Sequence, residues 1–285
     1  MPIKPHDRKT EPRGDDEIWR FLRMEFFRDL MANEELYFRR TDLYKADDPN
    51  EGLPTDKYLR QTLKLDRYVL DDELELNHRQ AFNRLHSQCY YLSCWTRYDP
   101  DNRLRMWHRY APYGVAIRSD YSRLKAALAE FLDDVHVGSV RYGDEDMTGY
   151  NLLQILFTKG CNYAWENEVR AVVCSYDPVG GQARNFRETN FPYREPHDDL
   201  NPLHPWVHTC KRRRVHLKNL IVGIAVSPWA SDKTFNEVRQ SWANIRDYKL
   251  PVQYDLKSSL TPTIDELEQR GWPKQDRSEC NEQIP

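Results

Sequence analysis

The spacing of apolar residues predicts that the chain alternates between helices and strands. One helical stripe, with an apolar residue at every fourth position, is formed by Ile18, Leu22, Phe26 and Leu30. Leu36 and Phe38 then alternate with polar residues, which predicts a short strand, and the sequence DDPNEG over residues 47–52 is typical of a turn. Leucine spacing over residues 55–87 predicts helix again, with one break.

Elements of both types follow through the rest of the chain. Five segments have strand character: residues 88–98, 113–120, 135–144, 166–176 and 212–228. Four segments have helical character: residues 99–112, 120–134, 151–164 and 231–245. A last strand is predicted from the alternation that begins at Val252. Because the strands are short and their connections vary, we predict an α+β fold with a central, mixed or largely antiparallel sheet.

These elements predict a single folded domain over residues 16–261. Residues 1–15 are polar and contain prolines, so we expect a flexible arm. Residues 177–207 are rich in Pro and Gly and have little periodicity, which is typical of a long loop or insertion. Residues 262–285 are polar, and we expect them to form a tail.

The composition narrows the functional classes. The 285-residue chain carries a formal net charge of −3, which demands neither a nucleic-acid nor a membrane partner. It has no apolar run of the roughly 18 residues that a membrane span needs. It also begins without the apolar segment of a secretion signal, so we expect a cytoplasmic protein. Its six cysteines are scattered and lack the spacing of metal ligands, so we expect no metal site.

Two glutamates stand two residues apart where the apolar strand of residues 166–176 begins. Side chains alternate along a strand, so Glu166, Glu168 and Arg170 are predicted to share one face. Two carboxylates this close repel each other, and Arg170 is the obvious cation to offset the repulsion. The pattern fits either a solvated strand face or a pair of carboxylates held rigidly in a cleft.

Three further groups of residues are candidates for binding. Arg39 or Arg40, at the end of a predicted strand, could hold a phosphate, although surface arginines that pair with acids fit the pattern as well. Ser93 lies at a strand end, where a hydroxyl can orient a ligand. Aromatic rings that could pack on a ligand are those of Tyr110, Tyr163 and Trp165. The basic run at residues 211–214 could bind phosphates or form a solvated face.

A set of segments in a fixed order resembles a known bacterial family. These segments are LYFRRTDLYKADDPNEG, YLSCWTR, MWHRYAPYGVAI, ENEVRAVV and LIVGIAVSP. In this order, over roughly residues 17–260, they resemble the family called domain of unknown function 2971. The succession of Arg, Ser and E-x-E more distantly resembles the signature of mono-ADP-ribosyltransferases. That second resemblance implies a split central sheet flanked by helices.

The same resemblance implies a role for each matching residue. Arg39 or Arg40 would hold the phosphate and ribose of NAD, and Ser93 would orient the catalytic glutamate. Glu168 would bind the ribose on the nicotinamide side, and Glu166 would position the acceptor. The sequence departs from the signature in having Cys94 after Ser93.

The resemblance implies an NAD-dependent ADP-ribosyltransferase-like enzyme. It would cleave the bond to nicotinamide and transfer ADP-ribose to an unknown macromolecular acceptor, either protein or nucleic acid, or to water. Bacterial enzymes of this kind commonly serve as toxins or in anti-phage defence. Two alternatives stay open: a non-catalytic binding or regulatory module of the same fold, and a nucleic-acid-binding or processing protein that uses residues 211–214.

Overall fold

The protein is built on a large mixed β-sheet flanked by helices. A computed structural model describes residues 4–5, 11–46, 48, 50–66, 68–131, 134–143, 151–174, 209–245, 251–256 and 261–273. The predicted loop at residues 177–207 lies outside these ranges.

The strands are β1 (Lys4–Pro5), β2 (Glu17–Leu22), β3 (Glu35–Arg40), β4 (Tyr90–Arg97), β5 (Val115–Asp120), β6 (Asp134–Ser139), β7 (Arg141–Tyr142), β8 (Thr158–Lys159), β9 (Glu168–Cys174), β10 (Cys210–Arg214), β11 (Gly223–Val226) and β12 (Val252–Tyr254). The helices are α1 (Met24–Asn33), α2 (Asp56–Leu63), α3 (Leu70–Ser87), α4 (Arg103–Tyr110), α5 (Tyr121–Leu128), α6 (Leu152–Leu156), α7 (Leu217–Leu220), α8 (Asp232–Ile245) and α9 (Ile264–Gln269). Two short 3-10 helices span Thr41–Ala46 and Cys161–Glu166.

The main sheet has the strand order β1-β6-β9-β4-β2-β5-β11-β12. The pairs β1–β6 and β11–β12 are parallel, and the other pairs in this sheet are antiparallel. Strand β3 also pairs with β4, and β10 pairs with β3. Strands β7 and β8 form a separate parallel pair. The predicted α+β class with a mixed central sheet is therefore confirmed.

One edge of β4 is shared by two partners. Strand β2 pairs with it at Thr96 and Arg97, and β3 pairs with it at Tyr91 and Leu92. In the register that these pairs define, residues 93–95 lie between the two partners. The sheet therefore opens at the middle of β4, and this opening positions the candidate site.

The main core lies on one face of the sheet. Helices α1, α5, α7 and α8 cover that face with buried side chains that include Phe27, Leu124, Leu217 and Trp242. Smaller apolar clusters lie on the other face, around Trp107 of α4 and around Leu156 of α6. None of the helices in the described ranges combines the length and the apolar character needed to cross a bilayer.

The four-residue spacing at the start of the chain predicted the wrong element. Residues 17–22 form strand β2, and the helix begins only at Met24. Strand β2 pairs with β5 along its whole length and with β4 at one end. Ile18 and Trp19 point to opposite faces and are both buried, which a strand inside a sheet allows. Pairing on both edges outweighs the helical spacing of this segment.

The structure also differs from the prediction at both ends of the domain. Lys4 and Pro5, within the expected arm, form β1, which pairs with β6 and ends the sheet on that side. Within the expected tail, α9 begins with a capping box between Thr263 and Glu266. Ile264 and Leu267 of this helix are buried, and their burial anchors it to the domain.

The predicted helix at residues 151–164 is shorter in the structure. Only Leu152–Leu156 is α-helical, and β8 and a 3-10 helix follow it. The backbone turns at Asn167, which has a φ of 44°, and strand β9 begins at the next residue. Glu166 therefore precedes the strand and is not part of it.

Candidate active site

A cavity of about 630 Å³ opens where β2 and β3 separate along β4. All three strands contribute to its wall, together with both 3-10 helices. Six acidic residues line it, and three of them lie together around Lys159: Glu51, Glu166 and Glu168. The other three are Asp29, Glu35 and Asp48. Among the basic residues that also line it are Arg20 and Arg39. The site therefore offers groups of both charges to a ligand.

The three carboxylates surround one ammonium group. The Nζ atom of Lys159 lies 2.7 Å from Glu166, 3.6 Å from Glu168 and 3.8 Å from Glu51. All four side chains are at least nine-tenths buried. Lys159 thus offsets part of the repulsion among acids that come from separate segments of the chain.

Arg170 supports this cluster from inside the sheet. Its guanidinium donates to Glu168 at 2.6 and 3.0 Å, and to Glu51 at 2.7 Å through each of two nitrogens. It also donates to the backbone oxygen of Leu156 at 2.6 Å. The sequence predicted that Glu168 and Arg170 share a strand face, and the structure confirms this. The predicted place of Glu166 on the same strand is wrong, because it ends the preceding 3-10 helix.

The surroundings of the three acids shift their pKa values in different directions. Burial acts to raise the pKa of Glu168, but the charges of Arg170 and Lys159 outweigh it and lower that pKa to about 2. Burial raises the pKa of Glu166 and that of Glu51 above their ordinary values. Glu168 is therefore held as a fixed anion, while Glu166 takes up a proton more readily.

Two of the three predicted aromatic residues line the cavity. The hydroxyl of Tyr110 donates to Glu166 at 2.5 Å, and the ring of Tyr163 lies 4.5 Å from the Lys159 ammonium. Trp165 is not part of the cavity wall. Its ring stacks on Tyr110 with the centroids 6.4 Å apart and contacts Arg105 at 4.0 Å. Trp165 therefore packs against Tyr110 from outside the cavity.

The choice between Arg39 and Arg40 is decided by the alternation of β3. Arg39 lines the cavity, and its guanidinium carbon lies 5.1 Å from the centre of the Tyr44 ring. Arg40 points to the other face, is almost completely buried, and donates to Asp42 at 2.6 and 3.0 Å. The prediction that Arg40 could bind a ligand is therefore wrong, and Arg40 forms a structural ion pair with Asp42.

The prediction for Ser93 is corrected in the same way. Ser93 lies opposite Ala171 across the sheet, is completely buried, and accepts a hydrogen bond from the indole of Trp95 at 3.3 Å. It does not line the cavity. Cys94 lies opposite Arg170 on the cavity face, and its thiol lies within hydrogen-bonding reach of the Glu168 carboxylate and of the Tyr44 hydroxyl, which is 3.9 Å away.

Cys94 therefore contacts the glutamate that Ser93 was expected to orient. Burial and the nearby Glu168 raise the pKa of the Cys94 thiol well above its ordinary value, so the thiol stays protonated and donates. Neighbouring strand residues face opposite sides, so a shift of one position exchanges the two faces. The sequence signal for Cys94 was its alternation with Thr96, but the face could not be assigned without the register.

The sequence patterns did not identify four other residues that line the cavity. Arg20 was placed on a predicted helix, and Tyr44, Glu51 and Lys159 carry no motif of their own. Each lines the cavity from a different element: Arg20 from β2, Tyr44 from the first 3-10 helix, Glu51 from the turn after it and Lys159 from β8. Glu51 follows Asn50 in the turn after β3, and Gly52 beside it has a φ of 67°.

The basic run at residues 211–214 lies on β10, which pairs with β3. Arg212 forms an ion pair with Asp29, and Lys211 lies 5.5 Å from the centre of the Tyr91 ring. Within the described ranges, no three His, Cys, Asp or Glu side chains are grouped as metal ligands are.

No protein-family model, no curated protein and no solved structure matches the chain.

Proposed function

We propose that the protein is an ADP-ribosyltransferase-like enzyme that cleaves the N-glycosidic bond of NAD. The observation that carries the proposal is that Arg39, Glu166 and Glu168 line one cavity, although they come from distant segments. These are the residue types that the resemblance to mono-ADP-ribosyltransferases implies. The opening of the sheet at β4 is also consistent with the split sheet of that fold.

Two groups of side chains in the cavity wall suit the two differently charged parts of NAD. The nicotinamide ring and its ribose carry positive charge during bond cleavage, and they would face the acidic group around Glu168. The diphosphate is anionic and would face the guanidinium of Arg39. A neutral or uniformly charged cavity would favour only one half of such a ligand.

In the proposed reaction, the bond between ribose C1′ and the nicotinamide nitrogen breaks, and its electron pair leaves with nicotinamide. The positive charge that develops on the ribose is stabilised by the Glu168 carboxylate, which Arg170 and Lys159 hold in the ionised form. A lone pair on an oxygen or nitrogen of the acceptor then forms the new bond to C1′.

The acceptor loses a proton when the new bond forms. Glu166 would take this proton, because burial raises its pKa and because its carboxylate faces the cavity. Its carboxylate is fixed by Tyr110 and Lys159, so it is positioned before the acceptor arrives. Water as the acceptor would give hydrolysis of NAD.

The test is nicotinamide release from NAD, measured by chromatography for wild type and Glu168→Gln. We expect turnover by wild type and a loss of at least about 100-fold in the variant, because a fixed charge at the developing cation is removed. Glu237→Gln is the matched control, since this glutamate pairs with Arg28 outside the cavity. Equal and negligible release by wild type and both variants would contradict an enzyme and favour the binding module.

A second measurement separates transfer from hydrolysis. NAD labelled on its adenine is incubated with the protein and bacterial lysate, and the labelled product is treated with protease or nuclease. Label lost with one treatment identifies the acceptor class. We expect Glu166→Gln to reduce this transfer more than it reduces hydrolysis, because water needs less positioning than a macromolecule. Equal loss of both activities would contradict the acceptor role of Glu166.

A further inference from the structure

Arg20 has an unusual environment for a basic residue. It extends from β2 into the wall of the cavity and donates to the backbone oxygen of Tyr37 at 2.7 Å. Its guanidinium carbon lies 5.9 Å from the centre of the Trp95 ring. Among the residues that the structure describes, no carboxylate pairs with it. Burial lowers the pKa of Arg20, as expected for a cation without a nearby anion.

Arg39 shares this lack of a counter-ion. It extends from β3, contacts the ring of Tyr44, and forms no ion pair with a carboxylate in the described part of the chain. The arginines Arg40 and Arg170 in the same part of the fold are both paired with acids. Arg20 and Arg39, two of the arginines that line the cavity and both half-buried, therefore differ from the fully buried Arg40 and Arg170, whose charges are balanced by acids.

The guanidinium groups of Arg20 and Arg39 both lie near Tyr37 and Tyr44. Burial raises the pKa of Tyr44 well above its ordinary value, and both Arg20 and Arg39 act against this increase. Burial likewise raises the pKa of Tyr37, and the same two arginines oppose it. Arg20 of β2 donates to the backbone oxygen of Tyr37, which lies two residues before Arg39 on β3, so both arginines reach the cavity between these two strands.

Two neighbouring cations without counter-ions are costly in a partly buried site, because each loses hydration and they repel each other. An anionic ligand would remove both costs at once. A guanidinium binds phosphate through two parallel hydrogen bonds, so two guanidinium groups suit a ligand with two linked phosphates.

We infer that Arg20 and Arg39 form a binding site for the diphosphate group of a nucleotide. In this site Arg20 is a second phosphate-binding residue beside Arg39. The identification of that nucleotide as NAD rests on the proposed function, but the anion site requires only the two arginines. The acidic group at Glu51, Glu166 and Glu168 sets the orientation, because it repels phosphate and accepts hydrogen bonds from ribose hydroxyls.

The test is calorimetric titration of the full chain with two probes that contain a diphosphate, ADP-ribose and inorganic pyrophosphate. Nicotinamide riboside, which has no phosphate, is the comparison ligand. We expect Arg20→Gln and Arg39→Gln each to raise the Kd for ADP-ribose by at least about tenfold, the loss of a charge-assisted pair. Their Kd for nicotinamide riboside should stay within about twofold.

A matched control and a second variant exclude a folding defect. Arg28→Gln removes an exposed arginine of α1 that pairs with Glu237, and it should leave the Kd for ADP-ribose unchanged. Arg20→Lys keeps the charge without the planar fork, and we expect an intermediate Kd. The Kd of wild type should also rise with salt concentration, more steeply than that of Arg20→Gln.

The outcomes separate this inference from the proposed function. ADP-ribose binding that needs both arginines, without nicotinamide release from NAD, would support the anion site and contradict the enzyme. Turnover of NAD with unchanged diphosphate affinity in Arg20→Gln would contradict the anion site alone. Absence of ADP-ribose and pyrophosphate binding by wild type would also overturn the inference.

Discussion

Glu51 and Glu168 accept hydrogen bonds from one guanidinium, that of Arg170, and its Nη2 atom donates to both. The two glutamates lie 117 positions apart in the sequence, one in a turn after β3 and the other at the start of β9. Arg170 is completely buried, so its charge is balanced only by groups inside the protein. The turn and the strand that carry the candidate site are therefore joined by one ion-pair network.

Replacement of Arg170 should strongly destabilise the protein. Arg170→Met removes the shared cation and leaves two buried carboxylates without it, so we expect the free energy of unfolding to fall by about 3–5 kcal/mol. Urea denaturation followed by circular dichroism measures this change. The triple variant with Glu51→Gln and Glu168→Gln should recover part of the loss, because the uncompensated charges are gone. No recovery would mean that lost packing, and not charge, causes the effect.

Cys94 should matter through its thiol hydrogen bond to Glu168. Under the proposed function, Cys94→Val removes the donor at similar volume and should lower kcat for nicotinamide release about tenfold, the effect of one hydrogen bond to a charged group. KM should change little, because the ligand does not need this contact to bind. Cys94→Ser restores a donor and should retain most of the activity. Equal impairment of the serine and valine variants would argue against a positioning role.

The turn that carries Glu51 should not tolerate a side chain at Gly52. This residue has a φ of 67°, and a Cβ atom there would collide with the Cγ2 atom of Thr41. We expect Gly52→Ala to lower the free energy of unfolding by more than about 1 kcal/mol. Gly271→Ala is the control, since it has a positive φ of 90° but nothing within 4 Å of the added atom. Similar losses in both variants would assign the effect to φ alone.

Stability should depend on pH through His86. Burial lowers its pKa from 6.5 to about 4, so the unfolded chain binds a proton that the folded protein does not bind between these values. This contribution is complete above pH 6.5 and is lost as the pH falls toward 4, by at most about 3 kcal/mol. His86→Phe keeps aromatic contact with Phe82 and Tyr90 and should flatten the dependence in this window.

The experiment is urea denaturation at a series of pH values for wild type and His86→Phe. The exposed His78 on the same helix provides the control, because His78→Gln removes a histidine from α3 without removing a buried side chain. An unchanged slope in His86→Phe would assign the acid sensitivity to other groups, including the buried acids of the cavity.

Much of the secondary structure was predictable because it depends on local patterns. The alternation in β3, the aromatic strand β4 and the helix that begins at Arg103 all occur where the sequence predicted them. The pairing of Glu168 with Arg170 was predictable for the same reason, since two residues two apart on a strand share a face. Local sequence was misleading at β2, where pairing with β4 and β5 outweighs helical spacing.

The sequence by itself determined the fold class, because apolar periodicity acts over short distances. For the same reason it identified Glu168 and Arg170, on one strand, as candidate site residues. Only the tertiary structure decided that Arg39 and not Arg40, and Cys94 and not Ser93, face the cavity. It alone brought in Arg20, Glu51 and Lys159. These choices depend on the register between strands, and the register is set by contacts between residues far apart in the chain.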